Sequence, residues 1–287
     1  MSLLSIPLSY LPLLAVRFVA VCLLQAPPLT QLRLSSIANN QSDGNLHKQY
    51  LVSVPFSSKE ISTIARKISV RILTHEGMGT GIIIARQGRS YKVLTNSHVV
   101  NNRDQSYTIL TADGQTHAVQ RLPSSQFGDK DLALVQFASD RTYQVAAIGD
   151  SNALAIGDPV YAGGFPSWHW VNSQAIEDTR NWGIRAFRFT EGIVRMLPEK
   201  SLQQGYQLGY TNEIEPGMSG GPVLDKEGRL IGINGGLKYP PQGKIAFIFA
   251  DGTMPSEALF QQMESLSWAI PITTFLQSYQ PLSNESF

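Results

Sequence analysis

One short segment concentrates the chemistry: Glu215-Pro216-Gly217-Met218-Ser219-Gly220-Gly221-Pro222-Val223. Glycines set tightly around a serine favour a sharp turn that exposes the hydroxyl. They also let backbone N–H groups crowd the space beside it. Acyl transfer needs that layout: a nucleophilic oxygen, and donors for the oxyanion formed when it attacks a carbonyl. An ordinary Gly-Ser turn uses the same letters, and Gly-x-Ser-x-Gly alone is only moderately specific. The second glycine, and Pro222 leading into an apolar strand, favour catalysis. A serine hydroxyl also needs a base, and the base needs a group to orient it.

Chain order narrows the partners. A nucleophile elbow of the α/β-hydrolase kind requires the order Ser, acid, His, but no histidine follows Ser219. The order Asp, His, Ser needs an aspartate before the base, and Asp43 in a polar stretch is the one available before His98. His, Asp, Ser remains. Of the five histidines, His47 lies in that polar stretch, His75 near a turn, His117 on a polar alternating strand and His169 between two tryptophans. His98 follows the strand-like Tyr91-Lys92-Val93-Leu94-Thr95, so a rigid scaffold can hold it. A lone histidine there is more often structural; the downstream serine motif reverses that reading. For the acid, Asp131 directly precedes the apolar run Leu132-Ala133-Leu134-Val135, where partial burial is expected, whereas Asp129 reads as a solvated turn residue. The expected assignment is therefore His98 as base, Asp131 as orienting carboxylate and Ser219 as nucleophile, with the N–H groups of Gly217 and Ser219 as the oxyanion hole.

The elements that must position these residues are mostly strands. Ile68, Val70 and Ile72 alternate with Ser69 and Arg71, the period of a half-buried strand. Further runs rich in Val, Ile, Tyr and Thr span 80–85, 90–95, 106–111, 117–122 and 132–137, with a hairpin signal at Ala112-Asp113-Gly114-Gln115. A second series spans 160–163, 188–195, 206–211, 222–224, 229–234 and 268–272. Short helices are expected over 57–67, capped by Ser57 or Ser58, and over 273–279. The class is all-β, two six-stranded antiparallel barrels. The expected division is 1–52 leader and linker, 53–140 first barrel carrying His98 and Asp131, 141–280 second barrel carrying Ser219, and 281–287 tail.

Composition bounds the partners. Lys and Arg number 23 against 22 Asp and Glu, a balance that argues against nucleic acid as the main partner. The single cysteine, Cys22, lies in the apolar leader, so the rest of the chain has neither a disulfide nor a thiolate metal site. No cofactor is expected. The first 26 residues read as a signal peptide, with Arg17 closing the basic region, Phe18 to Ala26 as the apolar region and Ser36-Ile37-Ala38 as a cleavage site. An uncleaved membrane anchor is the alternative, although Arg17 makes a spanning helix expensive. Export to the periplasm or the exterior, or anchoring by this segment, follows.

Taken together, these residues resemble the chymotrypsin family of serine peptidases. Thr95-Asn96-Ser97-His98-Val99-Val100 is similar to its histidine motif, Asp131-Leu132-Ala133-Leu134 to its aspartate motif, and Gly217-Met218-Ser219-Gly220-Gly221-Pro222 to its serine motif. Gly79-Thr80-Gly81 resembles the segment opening the barrel before the histidine. Gly228 to Asn234 resembles the strand that pairs with substrate in HtrA-like peptidases. The resemblance covers about Ile68 to Tyr279 and points to single-domain bacterial, particularly cyanobacterial, forms; with the sequence ending at Phe287, no PDZ domain is expected. It implies hydrolysis of polypeptides through an acyl-enzyme. It also places the floor of the primary specificity pocket at Glu213, edged by an insertion, Lys238 to Ser267, which would favour Lys or Arg at the cleaved position. A solvent-facing Glu213 beside an apolar pocket is the other reading. Met218 stands where the family usually has aspartate, so activation by a freed N-terminus is not expected. A silent binding protein on the same fold, and a hydrolase of small esters, remain as alternatives.

Overall fold

The computed structural model describes residues 55–74, 77–102, 106–172 and 175–279. The expected leader, linker and tail, and His75, lie outside the described residues. The first helix, α1 (Ser58–Ile68), starts where local chemistry dictates. The Ser57 hydroxyl accepts from the Glu60 N–H, and the Glu60 carboxylate accepts from the Ser57 N–H, so two orphan helix-end donors are satisfied reciprocally. Its buried face is Ile61, Ala65 and Ile68.

The first sheet contains β1 (Ser69–Leu73), β2 (Met78–Gln87), β3 (Ser90–Thr95), β4 (Thr108–Leu110), β5 (Thr116–Ala118), β6 (Gln120–Arg121) and β7 (Ala133–Ala138), in the order β5-β4-β1-β2-β3-β7-β6. The two end strands of that order, β5 and β6, are separated in the chain by Val119 alone, whose N–H turns to the Tyr107 carbonyl. Taken as one bent strand, they join the two edges of the sheet, and the seven strands form a nearly closed six-stranded barrel. A barrel of this kind removes exposed edges.

The second half contains β8 (Pro159–Gly164), the hairpin β9 (Trp168–Asn172) and β10 (Ala175–Asp178), then β11 (Arg188–Met196), β12 (Leu208–Tyr210), β13 (Pro222–Leu224), β14 (Leu230–Gly236) and β15 (Ser267–Pro271). Strands β11-β12-β15-β14-β13-β8 close into a six-stranded barrel. The all-β class therefore holds. The hairpin β9–β10 and the helix α2 (Glu257–Glu264), capped by Ser256, were not expected; α2 lies within the stretch read as an insertion. The chain ends its described part on α3 (Ile272–Ser278).

Three apolar clusters follow from strand alternation. One fills the first barrel (Val70, Ile72, Tyr91, Val93, Val135) and one the second (Val160, Val194, Leu208, Val223, Ile231). The largest lies between them, where Ile82, Leu94 and Leu134 meet Leu230, Ile233 and Ile270, sealed by α1 and α3. Because both faces of β1 are covered, the expectation of a half-buried strand fails. Ser69 and Arg71 are fully buried along with Val70 and Ile72.

Candidate active site

His98 and Asp131 are brought together by simple register. β3 and β7 pair antiparallel with Thr95 opposite Ala133, so the residue three past one end and the residue two before the other fall side by side. His98 sits in a single 3-10 turn, Ser97–Val99, that folds the chain back over the strand end. Its Nδ1 lies 2.6 Å from Asp131 Oδ2, which fixes the proton on Nδ1 and leaves Nε2 with the lone pair.

Asp131 is 3% exposed, yet every face of its carboxylate is occupied. Oδ1 accepts from the His98 backbone N–H at 3.0 Å and from Ser97 Oγ at 2.7 Å; Oδ2 also accepts from the Tyr206 hydroxyl at 2.6 Å. Burial alone would raise the pKa of this carboxyl. The hydrogen bond and charge of His98, with the Tyr206 and Ser97 hydroxyls, outweigh it and hold the value down at about 2. Tyr206 is pushed the other way, well above its ordinary range, by its own burial and by the Asp131 charge, so it stays a donor. Bonds to the Asp131 backbone clamp the same spot. Asn96 Nδ2 donates to the Asp131 carbonyl, and the Asp131 N–H donates to the carbonyl of Gln204. Gln204 adopts a left-handed φ of 63°, a conformation costing a non-glycine residue about 1 kcal/mol. Asp129, by contrast, is exposed.

Ser219 lies on the turn its glycines allow. Gly217 and Gly220 have φ of 96° and 81°. A Cβ on Gly220 would stand 2.1 Å from the Thr80 carbonyl, so no other residue fits there. Among the described residues the N–H groups of Gly217 and Ser219 have no acceptor, whereas those of Met218, Gly220 and Gly221 are bonded to Glu215, Asn234 and Met218 carbonyls. The turn is tied to its surroundings by the Ser167 N–H to the Pro216 carbonyl (2.7 Å), the Thr80 hydroxyl to the Gly217 carbonyl (2.8 Å) and the Thr80 N–H to the Ser219 carbonyl (2.9 Å).

His98, Gly217, Ser219, Gly235 and Leu237 line one cleft of about 530 Å³. Among the described residues His98 Nε2 has no hydrogen-bond partner, and it shares this cleft with the Ser219 hydroxyl. On the other side of His98, a recess of about 480 Å³ is walled by Leu202, Leu237, Ile245, Phe247 and Trp268, with no Lys, Arg or Glu in its lining.

The other histidines are placed elsewhere. His117 bonds the Tyr143 hydroxyl, and His169 lies against Arg188 on the hairpin. The expectation for Glu213 is corrected. Its side chain is 75% exposed and ion-paired with Lys238, which also donates to the Thr211 carbonyl. A carboxylate already paired in solvent is no floor for a cationic pocket. Around it stand Ile214, Pro216, Leu237 and Tyr239. Sequence reasoning assigned no role to Tyr206, Ser97 or Thr80. Ser97 adjoins the histidine and could have been flagged, but Tyr206 stands 75 residues beyond Asp131 with nothing local to mark it.

Known proteins share the sequence pattern and the fold. The profile of the trypsin-like peptidase domain matches residues 79–233, just over half of the chain and inclusive of all three residues above. The chain belongs to that family, a branch of the chymotrypsin-like peptidases. Among curated relatives, the "Periplasmic pH-dependent serine endoprotease DegQ" of Escherichia coli is 31% identical over 191 residues, covering 66% of this chain and 37% of that protein. The "Serine protease Do-like HtrA" of Bacillus subtilis is 28% identical over 169 residues, covering 56% and 34%. The chain thus matches little more than a third of these relatives' length. Among solved structures, Deg5 superposes with a TM-score of 0.52 at 20% identity, covering 76% of this chain and 90% of that one. The HtrA-type protease AlgW gives 0.53 at 21%, covering 77% and 62%. Both share the fold.

Proposed function

We propose that the chain is a serine endopeptidase with His98, Asp131 and Ser219 as its triad. The observation that carries this reading is a histidine held in one tautomer by a buried carboxylate, on a cleft that also contains a serine flanked by two acceptor-free N–H groups. His98 Nε2 takes the Ser219 proton as Oγ bonds to the peptide carbonyl carbon. The oxyanion is received by the Gly217 and Ser219 N–H groups, each such donor being worth about 3 kcal/mol of barrier. His98 then passes the proton to the amine nitrogen as the C–N bond breaks. Water repeats the sequence on the acyl-enzyme, and carboxylate product and free serine result. Asp131 stays ionised and stabilises the imidazolium. Bonds between catalytic groups are often loose without substrate, and the Nε2 to Oγ bond forms when substrate closes the cleft.

Glu213 is already paired with Lys238, so it does not select Lys or Arg at the cleaved position; Glu215 lines the same recess beside Ile214, Leu237 and Tyr239. The apolar segment over residues 1–26 supports export, in line with the periplasmic DegQ relative. Among the described residues no helix is long and apolar enough to cross a membrane. A silent scaffold on this fold requires an oxyanion turn whose donors are occupied, and the donors here are open. Labelling with a fluorophosphonate probe tests the proposal: the parent chain takes the probe and Ser219→Ala does not. A parent that remains unlabelled while folded defeats the reading.

A further inference from the structure

Arg71 is 0% exposed and has no carboxylate within ion-pairing distance among the described residues. It sits on β1 directly opposite Thr80 of β2, and directly opposed residues share one face of a sheet. Its guanidinium donates to the carbonyls of Thr179 (2.9 Å) and Gly183 (3.1 Å), to the Thr179 hydroxyl (2.7 Å) and to the Met78 sulfur (2.7 Å). Nε is unpartnered. Among the described residues the hydrogen bonds of Arg71 all go to neutral acceptors, with the Asp178 charge acting on it from beyond ion-pairing distance. What a planar, five-donor group supplies is fixed geometry.

That geometry leads to the serine turn. The Thr179 hydroxyl accepts from Arg71, so its one proton is committed to the Pro166 carbonyl, 2.5 Å away. The Thr179 N–H donates to the Ser167 carbonyl at 3.1 Å, and the Ser167 N–H donates to the Pro216 carbonyl at 2.7 Å. The carbonyl of Pro216 and the N–H of Gly217 belong to one planar peptide and point opposite ways. Fixing the first on Ser167 therefore fixes where the second is aimed. Thr80 holds the next peptide: its hydroxyl accepts from the Phe165 N–H and donates to the Gly217 carbonyl.

We infer that Arg71 and Thr80, a cross-strand pair of the first barrel, are positioning residues that hold the oxyanion turn of the second barrel in its anion-binding form. Thr80 acts directly, Arg71 through Thr179 and Pro166-Ser167. The inference rests on the proposed peptidase activity. Neither residue touches substrate. Arg71 acts on where the Gly217 N–H points, and Thr80 holds the peptides before and after the one joining Met218 to Ser219, so loss of either should weaken transition-state binding and spare ground-state binding.

Arg71→Met, Arg71→Lys, Thr80→Val and Thr179→Val in the full chain test this, with kcat and KM on a peptide substrate. Affinities are measured in parallel for a peptidyl boronic acid, which forms a tetrahedral adduct on the serine, and for the matching product peptide. Expected is a fall in kcat of about 10- to 100-fold for Arg71→Met and Thr80→Val, and a smaller fall for Thr179→Val. KM should stay within about threefold, with boronate affinity falling in step with kcat/KM, product-peptide affinity unchanged and Arg71→Lys partly rescuing. If Arg71→Met does not fold, Thr179→Val, which removes one hydroxyl, decides alone. Folded variants with parental kcat, or variants losing boronate and product affinity equally, overturn the inference while leaving the peptidase reading intact. A parent that neither turns over peptide nor binds the boronate overturns the peptidase reading, and this inference with it.

Discussion

The two barrels secure their functional groups by opposite means. In the first, His98 and Asp131 flank adjacent paired strands, and the carboxylate is surrounded by donors from its own neighbourhood, with Tyr206 as the one contribution from the other barrel. The pair is held by charge and by strand register. In the second, Ser219 sits on a turn with no charged partner. Its shape comes from glycine φ angles and from backbone bonds to Ser167 and to Thr80 of the first barrel. The base is thus fixed largely within its own barrel, while the oxyanion donors are fixed across the boundary. Substitutions near His98 should therefore alter protonation and orientation, and substitutions at the boundary should alter transition-state stabilisation without altering protonation.

The largest expected effect is Ser219→Ala, which removes the nucleophile and should abolish peptide hydrolysis with stability nearly unchanged, read by casein digestion beside thermal melting. Asp131→Asn comes next. It leaves a folded protein but favours the wrong histidine tautomer, and kcat should fall by about 10⁴-fold. Full activity in that variant would break the account of the first barrel.

Tyr206→Phe sharpens the comparison, because among the described residues Tyr206 is the second barrel's one donor to the Asp131 carboxylate. Losing a hydrogen bond to an ionised group should lower kcat/KM by roughly 10-fold. The same site predicts acid sensitivity. The Asp131 carboxyl is depressed in the folded state to about 2 from 3.8. Its contribution, of order 2 kcal/mol, is therefore present above pH 4 and lost as pH falls from about 4 to 2. Denaturant melts across that window should show this loss in the parent and not in Asp131→Asn. Tyr206→Phe removes one of the groups depressing the pKa, so its loss should begin at lower stability but end at higher pH.

The two smallest effects are expected nulls. Glu213→Ala should leave the cleavage preference unchanged, since Lys238 already neutralises that carboxylate; a switch away from Lys or Arg in peptide-library profiling would restore the discarded idea. Met218 is fully buried and offers no carboxylate to a free N-terminus. A chain starting at Val52 behind an uncleavable tag should therefore match the untagged chain in turnover. A large gain on tag removal would reveal a terminal switch.

The order His98, Asp131, Ser219, the glycines around the serine and the alternation of most strands are properties of the sequence, and each could be read because its physical cause is local. A positive φ selects glycine wherever the turn sits. An aspartate on the lip of an apolar run is drawn inward with it. Cap chemistry likewise announces α1, and Ser256 with the spacing of Leu259 and Met263 carries the same kind of signal for α2. Tertiary structure alone decided the rest. Arg71 reads as the polar side of a half-exposed strand until the second barrel covers that face and the segment after its hairpin, Thr179 to Gly183, supplies the carbonyls the cation needs. Glu213 reads as a pocket floor until Lys238, 25 residues on, folds over to meet it. Tyr206 becomes a donor to Asp131 only because two barrels press together. Which hydroxyl meets which carboxylate is a matter of distances between residues far apart in the chain, and those distances exist only once the shared core has closed.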